Sequence, residues 1–318
     1  MIADSNSDNV KPNNKSHQII ITLIGVIFLS SFAVRAQTAD SLSITFYDHL
    51  YNFRFQSADS TLKIIREQQP DPIVREMIDI SYGWWLLISG ENGKNHSTRL
   101  LDFIDAKILE LETIKETSPL SQIEVLHMIM LYSYQARIHN HLDNKIQGFK
   151  SFRASNRYFE QLRPCDEISC DVYNLIAGLY YALTGYIQKD YPGVFRLTFT
   201  EEFADIDKGL ELLGKCAESE TDQIKTESIY FFMKLYLEVE EDAGKAMEYA
   251  SYLVSKFPDN LVFRLNQLLI LNENGDEDAL EKACASFLDL TRNNNQLSER
   301  QRTHFTRECK ELIKKCVY

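Results

Sequence analysis

Glycine is scarce in this chain, and so are the glycine-rich loops on which many enzymes depend. Only 12 of the 318 residues are glycine, and neither a phosphate-binding Gly-x-x-x-x-Gly-Lys-Ser/Thr loop nor a Gly-x-Ser-x-Gly turn occurs. The acidic group Glu201, Glu202, Asp205 and Asp207 does not indicate paired catalytic carboxylates, because negative charge in the first turn of a helix complements the helix dipole. The sequence therefore predicts a protein that is not an enzyme and has no cofactor.

Clusters of metal ligands are also missing. His139, His141 and Asp143 lie close together, but residues two apart on a helix point about 200° away from each other. A later acidic turn has the spacing of a calcium loop, yet Glu277 stands where glycine is required and Ala283 where a bidentate glutamate belongs. We expect a solvated helix end and an inter-helix turn, and no metal site.

Basic residues are outnumbered by acidic ones. Lys and Arg total 34 against 46 Asp and Glu, which gives a formal net charge of −12. Nucleic-acid binding depends on cations that neutralise phosphates, so this balance predicts no nucleic-acid partner. A basic or neutral partner fits the charge better.

The N-terminal segment 1–36 has the pattern of a signal peptide. Lys11 and Lys15 precede an uncharged apolar run, 19–33, and the small residues of Val34-Arg35-Ala36 follow it. The run is shorter than the about 20 apolar residues that span a bilayer. We therefore expect cleavage before Gln37 and an exported, periplasmic product without stable membrane insertion; an uncleaved N-terminal anchor is the alternative.

Strand patterns are absent from the rest of the chain, where two-residue alternation never persists between turns. Helical apolar spacing instead predicts thirteen helices in an all-α fold. We place them at 41–53, 58–68, 72–89, 97–116, 120–140, 144–162, 168–184, 202–217, 222–238, 243–257, 260–273, 277–291 and 298–317.

Residues 227–293 contain two successive helical hairpins. In the first, apolar residues recur every three or four positions, an acidic turn intervenes, and the spacing resumes from Ala246 through Ala250. Pro258 ends this hairpin because it lacks the donor that would continue the helix, and Asp259 or Asn260 can cap the next one.

The first hairpin resembles the tetratricopeptide repeat. Tyr230, Ala246 and Pro258 match the aromatic, small and proline positions of that repeat, whereas Met233-Lys234 replaces its usual Leu-Gly pair. The resemblance implies an α-solenoid of stacked antiparallel helix pairs, an architecture that binds other molecules through its surface. We expect N-terminal repeats at 37–163 and C-terminal repeats at 164–318, either as two domains or as one continuous solenoid.

Cysteine usage leaves one pairing open. In an exported chain, Cys165 and Cys170 flank a turn and either close a small disulfide loop or remain two thiols. Cys309 and Cys316 lie about 10 Å apart along one helix, beyond the roughly 7 Å reach of a disulfide.

The segment 185–200 interrupts the repeats as a long apolar loop between two helices. Its aromatic residues Tyr186, Tyr191, Phe195 and Phe199 are the candidate site for a partner or ligand, and packing against the stack is the alternative. Phe195 and Phe199 are expected to be structural, whereas the hydroxyls of Tyr186 and Tyr191 are expected to meet water.

Two functions are compatible with these features. The first is a scaffold for protein–protein interaction in the cell envelope, in which the concave face of the stack receives a segment of another protein. The second is a protein that binds a small molecule or glycan in a pocket covered by the 185–200 segment.

The signal-peptide prediction can be tested directly. We expect the exported product to begin at Gln37 and to be released by osmotic shock, because the apolar run is short and is followed by small residues at the cleavage site. Intact-mass analysis should show the loss of residues 1–36. Retention of these residues in a membrane pellet would support the anchored alternative.

Overall fold

The computed structural model describes residues 41–69, 71–91, 95–166 and 168–316, so the predicted signal peptide 1–36 lies outside the described residues. The described ranges contain fourteen α-helices, one 3₁₀ turn and no strand. The helices are α1 (Ser41–Tyr51), α2 (Phe55–Gln68), α3 (Pro72–Ile88), α4 (His96–Thr117), α5 (Gln122–His141), α6 (Lys145–Phe159), α7 (Cys170–Asp190), α8 (Pro192–Thr198), α9 (Ile206–Ala217), α10 (Asp222–Glu238), α11 (Ala243–Lys256), α12 (Leu261–Glu273), α13 (Glu277–Asn293) and α14 (Glu299–Cys316), with the 3₁₀ turn at Glu201–Phe203. No helix in these ranges is both long and apolar enough to cross a membrane.

The helices stack as pairs in an all-α helical-repeat fold, as the sequence predicts. The pairs are α1 with α2, α3 with α4, α5 with α6, α7 with α9, α10 with α11 and α12 with α13, and α14 packs on α12 and α13. First helices of neighbouring pairs also touch, since α3 contacts α1 and α5, and α10 contacts α7. The helix that is additional to the thirteen predicted ones is α8, which lies inside the segment predicted to be a loop.

Side-chain caps fix where many of these helices begin. Ser121 and Glu124 form a reciprocal capping box at α5, and Asp71 accepts from the backbone N–H of Ile73 at 2.9 Å at the start of α3. The same role is played by Ser169, Asp205, Asp242, Asn260 and Asp276 at later helices. Asp205, one of the acidic residues at 201–207, therefore caps a helix.

The α10–α11 hairpin has the two helices and the buried apolar face that its spacing predicts. Ala246 and Ala250 are fully buried on the inner face of α11, and Phe257 follows that helix as another buried residue. Asn260 caps α12 by accepting from the N–H of Phe263 at 3.0 Å. The acidic turn after α12 uses Gly275 at φ 68°, so it is an inter-helix turn, as the sequence indicates.

Helices α7 and α9 approach each other closely at two glycines. A Cβ placed on Gly209 would lie 2.4 Å from the backbone nitrogen of Ala182, and one placed on Gly178 would lie 2.7 Å from the side chain of Leu213. Both glycines therefore let the two backbones come close together, although a segment separates these helices in the sequence.

The two ends of the stack meet. The ring of Tyr51 on α1 lies 5.3 Å from Phe257 and 6.5 Å from Phe263 on the C-terminal helices. Farther along, Phe53 and Phe305 lie 5.8 Å apart. Side chains at the end of α1 therefore contact the C-terminal half of the described chain.

The loop between α6 and α7 carries the sequence-predicted boundary at 163/164. The structure closes this loop with a Cys165–Cys170 disulfide, which settles the open pairing. The rings of Phe159 on α6 and Tyr180 on α7 stack 4.8 Å apart, so the core passes from one side of the boundary to the other.

Substitution by alanine is predicted to have opposite effects on stability at two glycines of α9. Gly209→Ala should lower the free energy of unfolding by about 1–3 kcal/mol, because the backbone of Ala182 cannot yield to the new methyl group. Gly214→Ala is the matched control, since its Cβ would meet nothing within 4 Å; it should raise stability by about 0.5–1 kcal/mol. Urea denaturation of both variants measures the difference, and equal shifts would contradict the close approach.

Candidate functional site

The inserted segment is helical, which corrects the prediction of a loop at 185–200. Helix α7 continues through Gly185 to Asp190, and α8 follows after Tyr191. The helix continues because Tyr186 and Ile187 extend its buried face, and it ends where Pro192 begins the next helix. Gly185 also needs its missing side chain, since a Cβ there would lie 2.6 Å from Ile206.

Phe195 and Phe199 face the helix stack. Phe195 is buried, and its ring lies 6.0 Å from that of Phe199. The Phe199 ring in turn lies 5.8 Å from Phe152 and 6.2 Å from Phe149 on α6. These two aromatic residues attach the insertion to α6, in line with the structural role expected for them.

Tyr186 does not meet water as expected. Its side chain is buried on α7, and its hydroxyl donates a hydrogen bond to Glu240 in the α10–α11 loop. Burial, together with the acceptor carboxylate of Glu240, raises the pKa of Tyr186 well above its usual value. Tyr191 is half-buried against the core. The four aromatic residues of the insertion therefore do not form one exposed surface.

The outer side of the insertion is aliphatic. Val194 is 40 % exposed and Leu197 is 82 % exposed, three residues apart on α8 and opposite the buried Phe195. We call Val194 and Leu197 the α8 patch. The sequence carried a signal for it, because the 194/197 and 195/199 spacings mark two faces of one helical segment.

A buried polar cluster occupies the centre of the stack. Arg137 on α5 is fully buried, with its guanidinium carbon 4.8 Å from the centre of the Tyr134 ring and 5.8 Å from that of Trp84. Tyr51 on α1 donates a hydrogen bond to the buried carboxyl of Glu227 on α10. The cluster therefore joins the first helices of four different pairs, α1, α3, α5 and α10.

Burial controls the protonation of this cluster. It raises the pKa of Glu227 to about 8, against the opposing effects of the Tyr51 hydrogen bond and the positive charge of Arg137. Burial also lowers the pKa of Arg137. Sequence patterns could not identify this pair, because Glu227 has the spacing of an ordinary helix residue and becomes buried only when the stack closes.

A cavity of about 620 Å³ opens beside the cluster, between α1 and the start of α10. Its described walls are Ile44, Thr45, Tyr47, Asp48, Tyr51, Glu220, Thr221, Asp222, Gln223 and Phe257. Its volume is within the range of about 300–1,000 Å³ typical of ligand sites. No pattern in the sequence indicates this cavity, because its walls come from three distant segments.

Two shallower depressions lie elsewhere. One, of about 390 Å³, lies between α3 and α4, and the other, of about 460 Å³, lies along α14. Neither these nor the α1–α10 cavity has a residue from 185–200 in its described walls. In the part of the chain that the structure describes, no group of three or more His, Cys, Asp or Glu side chains is placed to hold a metal ion.

Comparison with known proteins gives no relative: no family model, no curated protein and no solved structure matches the chain.

The buried carboxyl predicts a pH dependence of stability. The pKa of Glu227 is higher in the folded protein, at about 8, than its ordinary value of 4.5. The stabilising contribution of the protonated carboxyl is therefore complete below about pH 4.5 and is lost as pH rises towards 8. Glu227→Gln should gain stability relative to the wild type as pH rises from 5 to 8.

Urea unfolding at several pH values, with the exposed Glu248→Gln as a control, measures this effect. Parallel stability curves for Glu227→Gln and the wild type would contradict the assignment.

Proposed function

We propose that this protein is an exported, non-catalytic, tetratricopeptide-like scaffold that mediates protein–protein interaction in the cell envelope. The observation that carries the proposal is the α8 patch, where aliphatic side chains face solvent on a helix held firmly by Phe195 and Phe199. A grouped set of exposed apolar residues in a protein with a net charge of −12 favours a protein-binding surface. The hairpin register at Tyr230, Ala246 and Pro258 supports the tetratricopeptide-like assignment.

We place the docking surface on the insertion and not on the inner face of the stack. Tyr51, Arg137 and Phe263, on first helices of the pairs, are buried and so offer little surface to a partner segment. The insertion instead offers an outward helix that a partner can cover without moving the core. Binding on a preformed surface of this kind requires little ordering of the scaffold.

The alternative is binding of a small molecule or glycan under the insertion. The contacts of Phe195 and Phe199 with α6 do not favour it, because the aromatic rings expected to cover a pocket pack on the stack. The α1–α10 cavity has a volume in the range of small-ligand sites, but it lies in other helices.

The patch gives a prediction that separates binding from folding. Leu197→Asp should abolish capture of a protein partner from envelope extract while the melting temperature stays close to that of the wild type, because an exposed residue contributes little to stability. Leu109→Asp, at an exposed leucine on α4, is the matched control and should retain the partner.

Phe195→Ala tests the structural role of the same helix and should cost about 3–5 kcal/mol of stability, as for other buried aromatic residues. Unchanged capture by Leu197→Asp would remove the α8 patch as the docking surface. A thermal-shift response to metabolites or glycans that depends on the insertion would support the alternative function.

A further inference from the structure

Two buried thiols meet where the last two helices of the described chain pack together. Cys284 lies on α13 and Cys309 on α14, and neither side chain is accessible to solvent. The Cys309 thiol donates to the backbone oxygen of Cys284 at 3.9 Å. Burial and a side-chain hydrogen bond to Cys284 raise the pKa of Cys309, so the two thiols are in contact as well. Rotation about χ1 is the movement that would bring two such thiols into bonding geometry.

The packing around the pair sets the register of the two helices. Phe287, one turn after Cys284 on α13, and Phe305 on α14 are both buried, with ring centres 6.1 Å apart. Phe305 lies one turn before Cys309. A later residue of α13 thus meets an earlier residue of α14, so the helices run antiparallel and the two cysteines occupy the adjacent layer. The contact between the thiols therefore follows from the packing of two whole helices.

The other cysteines do not compete for this pair. Cys165 and Cys170 are bonded to each other, and Cys216 lies on α9, in a different helix pair. Cys316 follows Cys309 by two turns of α14, which is about 10 Å along the helix. The contact across the α13–α14 interface therefore favours one pairing over the rest.

We propose that Cys284 and Cys309 form a second disulfide, which links α13 to α14 in the exported protein. The two thiols give up two protons and two electrons to an oxidant of the disulfide class, either a small molecule or a thiol oxidoreductase. The S–S bond of the oxidant breaks to give two thiols while the new S–S bond forms. The inference rests on the export that the proposed function includes, because disulfides persist in oxidising compartments.

Burial determines when this bond forms. The thiolate is the species that attacks a disulfide, and the raised pKa of Cys309 keeps the docked side chain in the thiol form. The bond therefore forms during folding, before α14 is fully docked on α13. Once it has formed, its burial protects it from reductants.

Oxidative refolding tests the pairing. The chain is refolded in a mixture of oxidised and reduced glutathione, and the remaining thiols are then alkylated with N-ethylmaleimide in denaturant. Trypsin cleaves after Lys and Arg, so it separates the last three cysteines onto the peptides 283–292, 308–310 and 316–318. We expect the first two peptides to be joined, with a mass two hydrogens below that of the reduced forms together, and the third to be alkylated.

Melting temperatures of variants refolded with and without the oxidant assign the effect. The bond closes a loop of about 25 residues, so oxidation should raise the melting temperature by about 5 °C. Cys284→Ala should abolish this rise. Cys216→Ala, the same change at another buried cysteine, should retain it. The double variant Cys165→Ser/Cys170→Ser should also retain most of it, because its disulfide closes a much shorter loop. Comparing oxidised and reduced forms of one variant removes the packing cost of the lost sulfur.

Alkylation of both 283–292 and 308–310 after oxidative refolding overturns the proposal, and so does a bond from 283–292 to 316–318. A rise in melting temperature that persists in Cys284→Ala contradicts it as well.

Protein alkylated directly on isolation from cells separates this inference from the proposed export. A Cys165–Cys170 bond without a Cys284–Cys309 bond overturns the inference and leaves the export standing. Both pairs reduced in cells, with both bonds formed on oxidative refolding, supports the pairing and contradicts the export.

Discussion

The contact between Tyr51 and the C-terminal helices is the constraint on which the closed shape of the stack depends. Its hydroxyl bonds to Glu227, its carbonyl accepts from Asn260 at 2.8 Å, and its ring packs on Phe257. A helical-repeat chain ordinarily contacts only neighbouring repeats, and its inner face stays open. Here Tyr51 from the first helix instead contacts α10 and the residues between α11 and α12.

The closed interior contains ionisable groups that an apolar core would avoid. Arg137 and Glu227 are both buried, and the desolvation of such groups commonly offsets the attraction between them. Aromatic rings compensate part of this cost, since Arg137 lies over Tyr134 and Trp84. These polar contacts join α1, α5 and α10 in one arrangement, whereas apolar residues alone could slide between several registers.

Much of the fold could be predicted from local pattern. Helix spacing, caps such as Asn260 and the buried faces of Ala246 and Ala250 depend on neighbours a few residues away, and the structure agrees with them. The insertion is the exception, because a long apolar connection between two helices predicts a loop at 185–200, whereas the helix continues through Ile187 to Asp190.

The candidate sites were harder to predict. The aromatic residues at 186–199 are candidates from the sequence because their rings are large. Large rings gain the most free energy by burial, however, and the smaller side chains of Val194 and Leu197 are the exposed ones. The α1–α10 cavity joins Asp48 to Gln223, which no periodicity in the sequence relates. Contacts of this kind depend on how the stack curves, and this curvature cannot be predicted from the sequence of any single helix.

The side chain of Asn260 forms both a helix cap and a contact with a distant helix. Its Oδ1 starts α12 by accepting from Phe263, and its Nδ2 holds the carbonyl of Tyr51 at the other end of the described chain. An open solenoid can lose its terminal repeats one at a time, because each repeat depends only on the next. In this protein, detachment of the first helix would leave the Asn260 amide at the start of α12 without its acceptor. The molecule should therefore resist fraying from its ends and unfold in a single concerted step, as a closed ring does.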